Sequence, residues 1–108
     1  MNYRAEIHAE NAIIRLSGKV TQHDSSKFID IGKLINSSIK TIEVRLIEVD
    51  LINSVGVGMI ITLAEHCRGC GCSVFITGVT NQIEEVFKST KSMRIIEWDS
   101  NLVKLHIK

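Results

Sequence analysis

Several features that would point to other classes of protein are scarce or absent in this sequence. Its 108 residues include no proline, and 13 Lys and Arg stand against 12 Asp and Glu. With no excess of either charge, nothing favours a nucleic acid or an anionic membrane as partner. No uncharged run reaches the roughly 18 residues that span a bilayer, and no signal-peptide core is present. We therefore expect one soluble, cytoplasmic domain over residues 1–108, not inserted in a membrane.

Cysteine is also sparse, and its three copies are local. Cys67, Cys70 and Cys72 lie within six residues of each other, which suits free thiols in a reducing compartment better than disulfides. Together with His66 they form HCRGCGC, whose residue types bind zinc, but the two separated ligand pairs of a zinc site are missing. Burial at a helix end and a strand start explains two of the cysteines. No metal and no cofactor are predicted.

Hydrophobic periodicity divides the first half of the chain into a hairpin and a helix. Residues 3–8 and 12–17 alternate as two short strands, and Gly18 is expected to close the second. From Asp24, the predicted N-cap, the spacing changes to steps of three and four, as in an amphipathic helix. The apolar positions of this helix are Phe28, Ile31, Leu34, Ile35 and Ile39.

The second half predicts a strand, a helix and a parallel strand. Residues 42–47 and 72–77 are the strands, and a right-handed crossover would lay the helix between them on one face of a sheet. Thr80 is expected to cap a third helix, followed by a strand at 94–98 and an alternating tail. The predicted fold class is α/β, with a mixed sheet of about four to six strands and helices mainly on one face.

The stretch IEVDLINSVGVGMII, residues 47–61, interrupts an apolar run with polar residues and two glycines. EVDLINS is predicted to be a loop at a strand end, with Ser54 as the N-cap of the following helix. Glycine costs up to about 1 kcal/mol relative to alanine inside a helix, so Gly56 and Gly58 suggest bare backbone for an anion or a close protein partner. The glycine spacing fits neither a dinucleotide fingerprint nor a P-loop, and no nucleophile elbow is present, so no enzyme is expected.

These residues resemble the STAS domain of bacterial anti-sigma factor antagonists. The resemblance rests on IIRLSG, IEVRLI, LINSVGVGMII, GCSVFITG and VFKSTKSMRII, which cover most of the chain. It implies a partner switch in which Ser54 is the phosphoacceptor. The unphosphorylated protein would sequester a kinase-type anti-sigma factor, phosphorylation by that serine kinase would release it, and a PP2C-type phosphatase would reverse the modification.

The resemblance also implies a docking surface around the phosphoacceptor. Its predicted members are Thr21, His23, Asp24, Asn53, Ser54, Val55, Gly56, Val57, Gly58 and Met59. Asn53 and Thr21 stand where family members usually carry acids, and Val55 replaces a small residue. Three alternatives stay open: a constitutively binding subunit of a stressosome-like scaffold, the same role in a transporter complex, or a module that binds a nucleotide or another anion. A homodimer is a further option.

Overall fold

The computed structural model describes residues 1–89, and the backbone of residues 96–99 and 104–107. In chain order its elements are β1 (Asn2–His8), β2 (Asn11–Val20), a 3-10 turn (Gln22–Asp24), α1 (Ser25–Leu34), β3 (Thr41–Ile52), α2 (Ser54–Gly69), β4 (Ser73–Thr77), α3 (Asn81–Ser89), β5 (Ile96–Asp99) and β6 (Lys104–Ile107).

The strands form one mixed sheet in the order β1-β2-β3-β4-β6-β5. The β2–β3 and β3–β4 pairs are parallel, whereas the hairpin β1–β2 and the pairs β4–β6 and β5–β6 are antiparallel. The predicted α/β class, strand number, opening hairpin and parallel unit are confirmed. The alternating tail does form a strand, β6. The strand predicted at 94–98 begins at Ile96, and positions 94 and 95 lie outside the described residues.

The two faces of the sheet differ in chemistry because side chains alternate along each strand. One face carries the buried apolar side chains and meets the helices, with α2 contacting both α1 and α3. The other face is half-buried and charged: Arg15 Nε lies 3.1 Å from Glu6 Oε1, and Arg45 Nε lies 2.5 Å from Glu43 Oε2. The helices therefore gather on one side, as predicted. The core strands contribute Ala12, Ile14, Leu16, Ile42, Val44, Leu46, Val74 and Ile76.

Strand β3 is longer than its sequence suggested, and the loop predicted at 48–54 is wrong. β2 also runs on past Gly18 to Val20, which gives the second half of β3 a partner to pair with. Two register shifts lie between these strands, and each places an extra residue on β3. The buried positions of β3 accordingly change from every second residue to Leu46, Val49 and Ile52. Gly18 lies inside β2 with φ +81°, so it does not close the strand.

Asp24 occupies the N-cap position of α1, but its side chain does not cap that helix. Its carboxylate instead accepts from the Thr21 amide at 2.9 Å and lies 3.2 Å from the Met1 amino group. The Thr21 hydroxyl caps the 3-10 turn by accepting from the His23 amide. Burial acts to raise the pKa of Asp24, but the Thr21 hydrogen bond and the positive charges of Met1 and Lys27 outweigh it and hold the pKa below its ordinary value.

The predicted apolar stripe of the first helix is wrong at its end, because α1 stops at Leu34, which is exposed, and the buried Ile35 and Ile39 lie beyond it. α2 buries Ile60, Leu63, Ala64 and Cys67, and α3 buries Ile83 and Phe87. The Thr80 hydroxyl accepts from the Ile83 amide at 3.4 Å, which confirms Thr80 as the cap of α3.

The first turn of α2 lies directly against the ends of β2 and β3. Gly56 is buried there, and a Cβ atom at this position would stand 2.5 Å from the carbonyl oxygen of Val20 and 2.9 Å from Ile52 Cγ1. Gly58 is exposed, and nothing lies within 4 Å of the Cβ that it lacks. The first glycine is therefore required by packing, whereas the second is not.

This contrast predicts opposite effects for the same substitution. Gly56→Ala should lower the free energy of unfolding by about 2–3 kcal/mol, because the methyl group overlaps backbone that cannot move aside. Gly58→Ala should raise it by up to about 1 kcal/mol, since alanine is the better helix former at an open position. Urea unfolding of both variants measures the difference, and equal effects would contradict the packing argument.

Asp24→Ala should lower the free energy of unfolding by about 1–2 kcal/mol at pH 7, because a charged hydrogen-bonded group is lost. The interactions that lower the pKa of Asp24 stabilise the folded protein only while its carboxylate is ionised. The difference from wild type should therefore be full above the ordinary pKa of about 3.9 and shrink as the pH falls through the lower folded value. Urea titrations across this range test it, with the exposed Asp30→Ala as control; a pH-independent difference would refute it.

Candidate functional site

The helix that carries the serine and glycine motif begins with Asn53, not Ser54, as its cap. Asn53 Oδ1 accepts from the Gly56 amide at 2.8 Å, and its backbone is extended, with φ −104° and ψ 176°. Its Nδ2 donates to Gln22 Oε1 at 2.9 Å. An aspartate could accept the first bond but could not donate the second, so Asn53 joins the start of α2 to the 3-10 turn in a way an acid would not.

Ser54 is the first residue of α2, and the prediction that it caps the helix is wrong. The residue is exposed, and no hydrogen bond of its hydroxyl is found in the described part of the chain. The side-chain oxygen of Asn53 already accepts the hydrogen bond that an N-cap residue provides to the first turn. The Ser54 hydroxyl is therefore available to chemistry from solvent.

The electrostatic environment of Ser54 favours an added anion. The first bond of the helix runs from the Val57 amide to the Asn53 carbonyl at 3.0 Å, so the amides of Ser54 and Val55 precede the intrahelical ladder. No acidic residue lies in the first turn of α2. The positive end of the helix dipole adds to the attraction that these amides exert on a negative group.

The structure divides the predicted docking residues of α2 into exposed and buried ones. Ser54, Val55 and Gly58 are exposed, and half of the Val55 surface is accessible. Val57 is fully buried in the core, and the Gly56 amide is already bonded to Asn53. The expectation that both of these present themselves to a partner is therefore wrong, because the helix turns them towards the sheet.

The predicted neighbours from the preceding turn are brought to the same place. The hydrogen bond between Asn53 and Gln22 links the start of α2 to that turn, and the Asn53 amide also donates to the Val20 carbonyl at 3.4 Å. His23 is exposed and Thr21 half-buried. Asp24 is buried and its carboxylate accepts from the Thr21 amide, so the expectation that it contacts a partner is wrong.

Sequence reasoning missed one apolar neighbour of Ser54. Leu51 lies three residues before it and is 42% exposed, although it belongs to β3. The register shifts between β2 and β3 break the alternation of buried and exposed residues there, and no pattern in the sequence indicates them. Ile47 is also exposed, but it lies about 15 Å before the end of the extended strand and is not part of this region. We call the exposed set around Ser54 the switch surface; it comprises Leu51, Ser54, Val55 and Gly58.

Met59 lies beside the switch surface but faces an apolar groove between α1 and α2. The groove has a volume of about 650 Å³, and the half-buried Met59 lines it together with Phe28, Ile29 and Leu63. Ser25, Thr62, Lys33 and His66 are the polar residues of its lining, together with Gly32 and Ile35. The groove therefore extends the apolar character of the switch surface along the helix pair.

The three cysteines at the end of α2 and just after it are free thiols. Cys67 and Cys72 are buried, and the Cys72 thiol donates to the Ile39 carbonyl at 3.0 Å. Burial raises the pKa of Cys67 to about 12, so its thiol stays protonated. Among the described residues no group of three His, Cys, Asp or Glu side chains is arranged to hold a metal. Over the same residues, no helix is both long and apolar enough to cross a membrane.

Comparison with solved structures shows where this fold occurs. The unphosphorylated form of the anti-sigma factor antagonist SpoIIAA superposes with a TM-score of 0.66 at 18% identity, over 82% of this chain and 84% of that one. The Bacillus cell fate determinant SpoIIAA in its phosphorylated form gives 0.59 at 18% identity, over 81% of each chain. The murine anion transporter Slc26a9 gives 0.70 at 16% identity, over 84% of this chain and 15% of that much longer one.

At these low identities the superpositions establish a shared fold alone, and this fold occurs in an antagonist and in a transporter. No curated protein matches the sequence. The family model described as "Mlab, STAS domain" matches residues 3–97. The chain therefore belongs to the STAS domain family.

Proposed function

We propose that this chain is a non-enzymatic partner-switching regulator, similar to anti-sigma factor antagonists, which binds a kinase-type anti-sigma factor through the switch surface. In this proposal Ser54 is the phosphoacceptor, and its phosphorylation releases the partner. A PP2C-type phosphatase returns the protein to its binding form.

The observation that carries the proposal is the exposed hydroxyl of Ser54, which has no hydrogen bond among the described residues and follows a helix cap already provided by Asn53. Because Asn53 supplies the capping oxygen, modification of Ser54 removes no bond that holds α2 in place. The amides of Ser54 and Val55 offer donors to a phosphate, so the modified protein is expected to keep its fold.

The surface around Ser54 explains how one phosphate would release a partner. Leu51 and Val55 are exposed apolar side chains, and burying them against another protein is favourable. A phosphoserine adds about 1.5 to 2 negative charges, which a partner would have to desolvate at an apolar contact. The open position at Gly58 lets a partner approach the helix backbone closely.

The intact mass of the protein isolated from its native cells, with phosphatases inhibited, tests the modification directly. We expect a species heavier by one phosphate, and peptide mapping should place that phosphate on Ser54. Unmodified protein under all growth conditions, or a phosphate elsewhere, would contradict the proposed switch.

Ser54→Asp should weaken binding to the purified kinase-type anti-sigma factor by at least about tenfold, since the carboxylate introduces part of the phosphate charge. Ser54→Ala should bind like wild type, because the hydroxyl caps nothing. Ser37→Asp places the same charge at an exposed turn and serves as the matched control. Titration calorimetry measures all four proteins, and equal affinities of the Ser54→Asp and wild-type proteins would refute the mechanism.

A constitutive subunit of a transporter complex is the second candidate. Two observations favour it: the exposed apolar side chains suit a permanent interface, and the same fold occurs in an anion transporter. Neither Asn53 nor Thr21 provides the acid that usually accompanies the switch. This function predicts that the protein is isolated in a fixed ratio with a transporter subunit and without phosphate, which the mass measurement separates from the first proposal.

A further inference from the structure

β1 is an outer strand of the sheet, and its free edge is available for pairing. It pairs with β2 through all seven of its residues, and no other described residue bonds to its backbone. Because alternate residues of a strand direct their amides and carbonyls to opposite sides, about half of these groups line the open edge. We propose that a second copy of this chain occupies the edge, with the two β1 strands antiparallel about Ala5.

The sequence of β1 is complementary to itself in this register. With Ala5 on the two-fold axis, Arg4 of each copy faces Glu6 of the other, and Tyr3 faces Ile7. Opposite charges and aromatic with β-branched pairs are the favourable cross-strand combinations. A shift by one residue would put Arg4 opposite Ala5 and lose both kinds of pair. One register is thus preferred over its neighbours.

The apolar pair, Tyr3 and Ile7, is partly exposed at the edge of the sheet. Tyr3 and Ile7 are 36% and 49% exposed, and they stand opposite Leu16 and Ala12 of β2, which are core residues. Both side chains therefore lie on the face of the sheet that carries the core, at its uncovered margin. Pairing of two copies would bring each Tyr3 beside the other copy's Ile7 and remove apolar surface from water.

The charged pair, Arg4 and Glu6, lies on the opposite face of the sheet and favours the antiparallel register. Glu6 Oε1 is 3.1 Å from Arg15 Nε within one chain, while the exposed Arg4 has no ion-pair partner in the described part of the molecule. In the dimer Arg4 would reach the other copy's Glu6, which within its own chain also lies 3.6 Å from His8 Nε2. These ion pairs would be partly exposed to solvent, so added salt should screen them and weaken the association.

The two-fold pairing would also determine where the two switch surfaces lie. A two-fold axis through the edge continues the sheet and keeps the helices of both copies on one face, but it reverses the direction of the strands. The two switch surfaces would then lie at opposite ends of the joined sheet. A dimer of this kind would present two separate docking surfaces, and phosphorylation of Ser54 should not dissociate it.

Analytical ultracentrifugation of the full chain at increasing concentration tests the proposal. Wild type should show a monomer–dimer equilibrium. Arg4→Glu should weaken it at least about tenfold, equivalent to 1.4 kcal/mol, because two carboxylates then face each other on both sides of the axis. Glu6→Arg should weaken it similarly by opposing arginines.

The decisive sample is an equimolar mixture of the Arg4→Glu and Glu6→Arg proteins. Antiparallel pairing about Ala5 places each substituted side chain opposite a group of the other sign, so the mixture should form more dimer than either protein forms alone. Arg68→Glu, a charge reversal at the exposed end of α2, should dimerise like wild type. A monomeric wild type, an unaffected Arg4→Glu, or a mixture that stays monomeric would overturn the proposal; binding of the edge to a different protein would do so as well.

Discussion

The contact between the first turn of α2 and the end of β2 is the constraint on which the site depends. With glycine at position 56, the helix approaches the carbonyl of Val20 so closely that even a methyl group would overlap it. This approach sets the direction in which α2 leaves the sheet. It buries Val57, and it leaves the preceding serine and valine outside. Packing of one backbone atom therefore decides which side chains a partner can meet.

The role of Asn53 as the helix cap depends on the same close approach of α2 to the end of β2. The start of α2 must be tied to the 3-10 turn, and an amide side chain can accept from the helix while it donates to Gln22. The absence of the usual acid thus has a structural explanation that is independent of signalling. It also relieves Ser54 of a capping role, and this freedom makes a reversible modification compatible with a stable helix.

Fold alone does not separate the functions open to a STAS domain, since related architectures occur in an antagonist and in an anion transporter. The distinction lies in what surrounds the first turn of α2: exposed apolar side chains, an exposed hydroxyl that bonds to none of the described residues, and a helical position without a side chain at Gly58. The open edge of β1 is a separate surface formed by another part of the sheet. A protein with both surfaces could bind a partner and itself at the same time.

The sequence by itself determined the α/β class, the hairpin, the parallel unit and the buried faces of α2 and α3, because periods of two and of 3.6 residues report directly on which side of an element is buried. It also located the motif around Ser54. Only the tertiary structure decided that β3 extends to Ile52, since a strand needs its neighbour's register and β2 supplied it. The same holds for the cap at Asn53 and the burial of Val57 and Asp24. Each of these depends on atoms distant in sequence, such as the Val20 carbonyl and the Gln22 side chain, whose approach no local pattern encodes.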